Sequence, residues 1–310
     1  MAVALIALFP TSAAPPIRPA PPLSPAMPSG RDSSGTRLVL LGSGTPNADP
    51  DRSGPALAVV VNGAAYLVDA GPGVVRRAAA AERRGIAALA VKNLRIVFVT
   101  HLHSDHTLGL PDLIFTPWVL EREAPLEVYG PPGVEAMTHH LTAAYEQDVR
   151  IRLEGLEPAN ATGHRVRAHE IAPGVVYRDS NVTVTAFAVP HGSWPQAFGY
   201  RFDTRDRRIV ISGDTRTTEA VVQQCAGCDV LVHEVYAQAG WEQLPSEWQR
   251  YHASFHTSAV DLGRLAARAQ PKLLVLYHQL PWRSTRQQIV KEIREHFDGP
   301  VAYGNDLDVY

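Results

Sequence analysis

Four residues able to bind a metal ion stand within six positions of one another, as His101-Leu-His103-Ser-Asp105-His106, directly after the apolar run Leu94-Arg-Ile-Val-Phe-Val-Thr100. Imidazole nitrogens and carboxylate oxygens are ligands that zinc accepts readily. A strand places alternate side chains on one face, so His101 and His103 can reach one ion. The chain then turns and lets Asp105 and His106 reach a second. Two ions roughly 3.5–4 Å apart can hold a hydroxide between them and clamp the attacking and leaving oxygens of a displacement. The spacing therefore points to a binuclear hydrolase.

This short segment cannot complete two metal shells, so further ligands are expected at later strand ends. His191 follows the apolar stretch Val182–Pro190, Asp214 sits in Ser-Gly-Asp-Thr after Arg208–Ser212, and His278 caps Leu273–Tyr277. His101, His103 and His191 would form a three-imidazole site. Asp105, His106 and His278 would form the second, with Asp214 bridging and a position left open for water, as a catalytic site requires. Two zinc ions are the expected cofactors, with manganese or iron as alternatives for such a ligand set. Asp105, beside the bridging position, is a candidate to orient the hydroxide as well as to ligate.

The elements that must position these residues alternate along the chain. Strands are expected at Arg37–Leu41, Ala56–Val61, Ala65–Asp69, Arg95–Val99 and Leu126–Tyr129, then at Val182–Phe187, Ala197–Phe202, Arg208–Ser212, Val230–His233 and Leu273–Tyr277. Helical patterns fall between them at Val74–Ala88, Leu108–Leu120, Gly133–Gln147, Thr217–Cys225, Thr257–Arg268 and Thr285–Phe297. Two similar halves, each a sheet with covering helices, indicate an α/β four-layer αββα sandwich with the metal site at the sheet ends. Residues 37–310 would form this hydrolase domain. Residues 1–36 differ in composition, opening with Ala2-Val-Ala-Leu-Ile-Ala-Leu-Phe9 and continuing Pro/Ala/Ser-rich. They are expected to be a signal peptide or an extension outside the fold, although the basic start of a secretory signal is missing. Export to the periplasm or medium follows from the first reading, a cytoplasmic location from the second.

The combination of motifs resembles the metallo-β-lactamase superfamily, in its ribonuclease Z and arylsulfatase-like branch. The resemblance spans Thr36 to the C-terminus. It rests on His101–His106, on His191 with the trailing Phe198-Gly-Tyr-Arg201, on Ser212-Gly-Asp-Thr215, His233-Glu234, His256-Thr-Ser258 and His278. It implies the metallo-β-lactamase fold and the metal ligands assigned above. It also implies that His256 and Glu234 lie close to the cleft, where a carboxylate-held imidazole could protonate a leaving oxygen. Homodimers are common in the family, and no residue here decides that point.

One departure bears on the substrate. Ribonuclease Z enzymes that mature transfer RNA generally carry a protruding RNA-gripping arm, whereas here Tyr200 and Gly213 are joined by one short hairpin. The formal net charge is −2 and no stripe of Lys and Arg is present, so the footprint of a protein that grips a phosphate backbone is missing. The expectation is therefore a small-molecule ester substrate, a phosphodiester or an aryl phosphate or sulfate, with nucleic acid not a partner. The alternatives are a lactonase or β-lactamase-like hydrolase, a ribonuclease Z-type tRNA 3′ endonuclease, and a non-catalytic metal-dependent binding module.

With 310 residues, 45% of them hydrophobic and 19% charged, the chain can bury a large core, and it has no apolar stretch approaching a membrane span. Cys225 and Cys228, the only cysteines, read as packing residues at a helix end, with a disulfide as the alternative. Trp194 and Trp282 follow ligand positions closely, and Trp118, Trp241 and Trp248 sit in neighbouring stretches. They could wall an apolar pocket for an aryl leaving group or simply pack under loops. His139, His140, His164, His169, His252 and His296 read as surface residues, and His233 as a core histidine.

Overall fold

In the first strand, β1 (Arg37–Gly42), Leu38 and Leu40 face one apolar core while Val39 and Leu41 face another. A strand buried on both sides must lie inside a stack of layers. The computed structural model describes residues 35–310, so all but the last two residues of the expected extension lie outside the described residues.

β1 pairs antiparallel with β2 (Ala56–Val61), and β2 with β3 (Ala64–Val68); β4 (Ile96–Phe98), β5 (Leu126–Gly130) and β6 (Val166–Glu170) then continue in parallel. The second sheet holds β7 (Gly174–Arg178), β8 (Val182–Ala188), β9 (Phe198–Thr204), β10 (Arg208–Ile211), β11 (Val230–Tyr236), β12 (Leu274–Leu280) and β13 (Val301–Tyr303). It is antiparallel from β7 to β10 and parallel from β10 to β13. Each sheet thus has an antiparallel side and a parallel side.

Helices cover the outer faces. α1 (Val74–Arg83), α2 (Ser104–Thr107), α3 (Leu110–Val119), α4 (Val134–Ala144) and α5 (Glu146–Glu154) belong to the first half. α6 (Glu219–Cys225), α7 (Gln238–Trp241), α8 (Ser246–Phe255), α9 (Ala259–Ala269) and α10 (Arg286–Arg294) belong to the second. One core lies between the first sheet and residues such as Val74, Leu110 and Val134, a second between the sheets, and a third between the second sheet and Val221, Leu262 and Ile289. Three cores between four layers make the αββα sandwich, the metallo-β-lactamase fold. Phe98 anchors the middle core, its ring 5.1–5.9 Å from those of Tyr129, Tyr177, Tyr200 and Phe202.

The differences from the expected elements are local. β6 and β7 escaped notice because they are edge-side strands with few buried residues, so they lack the apolar run that marks β1 or β12. α8 has no fully buried residue and carries no core stripe to detect. The expected helix at Gly133–Gln147 breaks at Tyr145 between α4 and α5. Cys225 and Cys228 are joined in a disulfide, which corrects their reading as free packing residues. Among the described residues no helix is long and apolar enough to cross a membrane.

Candidate metal centre

The polar cluster assembles where the parallel strands end, the side of an α/β sheet at which backbone diverges and side chains can converge. Beyond β4, the Thr100 N–H donates to Asp69 Oδ1 at 2.8 Å, and the Thr100 hydroxyl donates to the same carboxylate. Asp69 Oδ2 also lies 2.8 Å from His106 Nδ1, so one buried carboxylate orients both the turn into the motif and the second imidazole. Its backbone is left-handed, with φ of 61°, a conformation that costs energy outside glycine and tends to occur at functional sites. α2 then carries Asp105 and His106 inward. Gly213, with φ of 62°, turns the chain after β10; a Cβ there would come within 2.7 Å of the Phe198 carbonyl. The next residue, Asp214, is buried. In β12 the pairing with β11 shifts between Tyr277 and Gln279, leaving His278 as the extra residue with φ of 44°. Such a bulge re-aims one side chain without breaking the strand.

His101 Nε2 is 2.9 Å and His191 Nε2 3.1 Å from His103 Nδ1. His278 Nε2 is 3.2 Å and His106 Nε2 3.6 Å from Asp105 Oδ2. Between the two groups, Asp214 Oδ2 lies 3.3 Å from both His106 Nε2 and His278 Nε2, and 4.0 Å from His101 Nε2. The structure therefore brings His101, His103, Asp105, His106, His191, Asp214 and His278 to one place, in overlapping clusters that also take in His256. Trp194 Nε1 donates to the far nitrogen of His103 at 2.7 Å, and His191 Nδ1 donates to the Phe255 carbonyl at 2.8 Å. The His191 ring is thus held from behind, as ligating imidazoles usually are.

The donor set suits metal ions. Three imidazole nitrogens meet at distances close to the roughly 3.3 Å expected between nitrogens about 2.0–2.1 Å from one tetrahedral zinc. His106 Nε2 and Asp214 Oδ1 are buried without a hydrogen-bond partner, whereas buried polar atoms in folded proteins are nearly always paired. These clusters are a metal-binding site.

The electrostatics agree. Burial holds His101 well below the ordinary imidazole range, with the neighbouring His106 adding to the effect. Burial likewise takes His191 down to about 3. Both therefore keep a free lone pair at neutral pH, the form a metal requires. Burial opposes charge on His106 too, but Asp214 and Asp69 overcome it and push that imidazole well above its usual range. Asp214 is held well below the carboxylate range, since His278 and His106 outweigh its burial. The carboxylates thus demand positive charge at this point.

His256 and Glu234 adjoin the cluster. His256 Nδ1 lies 3.3 Å from Glu234 Oε2 and 3.9 Å from Asp214 Oδ2. Glu234 Oε1 accepts from the Thr257 N–H at 2.7 Å. Burial pushes the Glu234 carboxyl well up, with Asp214 adding to it, and burial takes His256 down to about 4. His233 is buried beside them, its Nδ1 donating to the Glu234 carbonyl.

Sequence reasoning missed two contributors. Asp69 stands only as the last residue of the expected strand Ala65–Asp69; a carboxylate at the end of that apolar run was the available signal. His252, read as a surface residue, is half-buried on α8 in the wall of the cleft, its ring 4.8 Å from that of Trp282. The tryptophans divide. Trp194, Trp248 and Trp282 border the centre or its cleft, while Trp118 donates to the Asn160 carbonyl in the first core and Trp241 braces α8 through the Gln249 carbonyl.

The profile of the Beta-lactamase superfamily domain matches residues 65–279. A ribonuclease Z of Mycobacterium sp. (strain KMS) is 35% identical over 274 residues, covering 87% of this chain and 94% of its own. A ribonuclease Z of Mycobacterium bovis (strain BCG / Pasteur 1173P2) is 32% identical over 275 residues, covering 87% and 96%. Among solved structures, human tRNase Z, short form, superposes with a TM-score of 0.66 at 22% identity, over 88% of this chain and 98% of that one, which speaks to the fold. These relatives correct the expectation of a small-ester substrate. The missing arm does not discriminate: the hairpin of β9 and β10 is indeed short, yet a ribonuclease Z matched over 96% of its length leaves no room for a long unmatched arm either. The exclusion of nucleic acid falls with it, because a net charge summed over a whole chain does not describe the potential inside one cleft.

Proposed function

This chain belongs to the metallo-β-lactamase superfamily, in its ribonuclease Z branch, and from that membership we propose that this hydrolase is an endoribonuclease that cuts a phosphodiester of structured RNA, with a 3′-extended transfer RNA as the substrate class. The observation that carries the reading is the likeness to curated ribonucleases Z over 87% of the chain, at 32–35% identity, in a molecule whose metal-binding clusters are assembled. His101, His103 and His191 would hold one zinc ion, Asp105, His106 and His278 a second, and Asp214 would contact both. Bound there, the ions would polarise a phosphoryl oxygen and lower the pKa of a water molecule. Manganese could serve in their place.

The chain's own groups complete the chemistry. Hydrolysis adds water at phosphorus and breaks one P–O ester bond, so the departing oxygen needs a proton. His256 faces the cleft as a neutral imidazole beside a Glu234 carboxyl whose hold on a proton burial strengthens. As one ring nitrogen gives its proton to the departing oxygen, Nδ1 can take one from Glu234 Oε2 across 3.3 Å. Asp105, at the floor of the same cleft, is placed to orient the attacking water.

The test is cleavage of a 3′-extended precursor tRNA by the zinc- or manganese-loaded protein, with product ends mapped. Cleavage at a single site, lost to background in Asp214→Ala, is expected. Intact precursor after incubation with protein carrying its full metal complement would end this reading.

A further inference from the structure

The cleft above the metal centre is a cavity of about 600 Å³ with two unlike ends. Its floor is polar and includes Asp105, Asp214, His256 and His278; its wall is apolar and largely aromatic, formed by Leu244, Trp248, Tyr251, His252, Leu280 and Trp282. Such a volume lies in the roughly 300–1,000 Å³ range of small-ligand sites. Half of the wall comes from α8, where Trp248, Tyr251, His252 and Phe255 recur at the spacing of one helix face.

That face is not a core face. No residue of α8 is fully buried, and Trp248 remains 53% exposed at the outer end of the cavity. The helix is nonetheless held in register with the centre: the Phe255 carbonyl accepts from His191 Nδ1, and His256 follows directly as the cap. In the same wall, Trp282 has a left-handed backbone with φ of 45°, strain that persists only where surrounding structure enforces it. Its ring lies 4.8 Å from that of His252, which in turn lies 6.0 Å from Trp248, while Tyr251 is 6.4 Å from His256. The rings therefore lead from solvent to the group placed beside the departing oxygen. Exposed Arg250 and Arg283 adjoin the platform in the chain.

We propose that this wall is a base-stacking subsite: Trp248, at the exposed end of the wall it shares with His252 and Trp282, receives an unpaired nucleobase next to the phosphodiester that is cut. The assignment rests on the endoribonuclease reading. Flat aromatic rings suit this ligand because every base has a π-face, so stacking tolerates any sequence. It selects for an unpaired strand, since a base inside a duplex is already stacked on its neighbours. The subsite would thus favour cleavage at the junction where a paired stem gives way to a single-stranded tail.

The test places 2-aminopurine, whose fluorescence stacking quenches, at each unpaired nucleotide flanking the cut in a precursor tRNA. Binding is titrated in chelator so that no cleavage occurs. One position should be quenched by the wild-type protein, less by Trp248→Phe and not by Trp248→Ala, a change at an exposed site that leaves the fold intact. In cleavage by metal-loaded protein, Trp248→Ala should raise KM roughly 5- to 150-fold, the span of one aromatic–base stack. An abasic nucleotide at the quenched position should cost the wild type the same factor and cost Trp248→Ala nothing more. Equal quenching by wild type and Trp248→Ala, or an abasic effect unchanged by the substitution, would overturn the subsite while wild-type cleavage kept the endoribonuclease reading intact. Absence of wild-type cleavage would overturn both.

Discussion

Arg122 and the His/Asp cluster are both charged groups buried in the first half of the molecule or at its edge, and they are satisfied in opposite ways. The Arg122 guanidinium donates to the carbonyls of Leu94, Leu113, Ile114 and Gly163 at 2.7–3.0 Å. Its burial lowers its pKa only to about 10, so it stays cationic with carbonyl dipoles as its partners. In the cluster, nitrogens of three imidazoles converge, His106 Nε2 has no hydrogen-bond partner, and Asp214 Oδ1 has no donor. The first arrangement pairs four of the five guanidinium N–H donors with carbonyls, leaving only Nε without a partner, and fastens α3 to the chain on either side of it. The second is complete only with cations. Burial of charge alone therefore does not distinguish a structural group from a functional one; the balance of donors against acceptors does.

The contrast can be broken from either side. Arg122→Met keeps most of the volume but leaves those four carbonyls unpaired at about 1–3 kcal/mol each, so denaturant unfolding should show a loss of at least roughly 4 kcal/mol. Metal content per folded chain should not change; a fall would mean that the two clusters are coupled. Asp69→Asn removes the carboxylate that orients His106 and should weaken metal binding by about 10–100-fold, read by competition with a chelating dye. Unaltered affinity would show that the Thr100 turn alone positions the ring.

The smallest expected effect is one of pH. His191, held at about 3 by burial, binds no proton in the folded protein at pH 5, whereas the unfolded chain binds one below about 6.5. Stability from this group is thus present above that value and declines as pH falls. In metal-free protein, the cost of His191→Asn should accordingly be smaller at pH 5 than at pH 8, because the variant has no such proton to take up when unfolded. The cost of Arg122→Met should be the same at both, since that group stays charged throughout. A pH-independent cost for His191→Asn would contradict the assigned direction.

Much of the architecture is written in short apolar runs. β1, β2, β8, β11 and β12 are buried along most of their length, and their patterns are plain because burial on both faces demands it. β6, β7 and α8 are partly exposed, and nothing in their composition separates them from loops. Their importance lies in what they adjoin, which no local window contains. The same holds for Asp69, whose partners Thr100 and His106 are supplied by another strand and a helix.

The residue types and spacing along the chain determined the layered α/β fold and the identity of the clustered imidazoles and carboxylates, because hydrophobic periodicity and metal chemistry are local properties of side chains. Tertiary structure alone decided which nitrogen faces which oxygen, that Asp69 holds His106, and that an aromatic helix overlooks the centre. Those relations join residues far apart in the chain, and only the packing of two sheets, with His278 turned inward by a bulge, brings them within hydrogen-bonding reach.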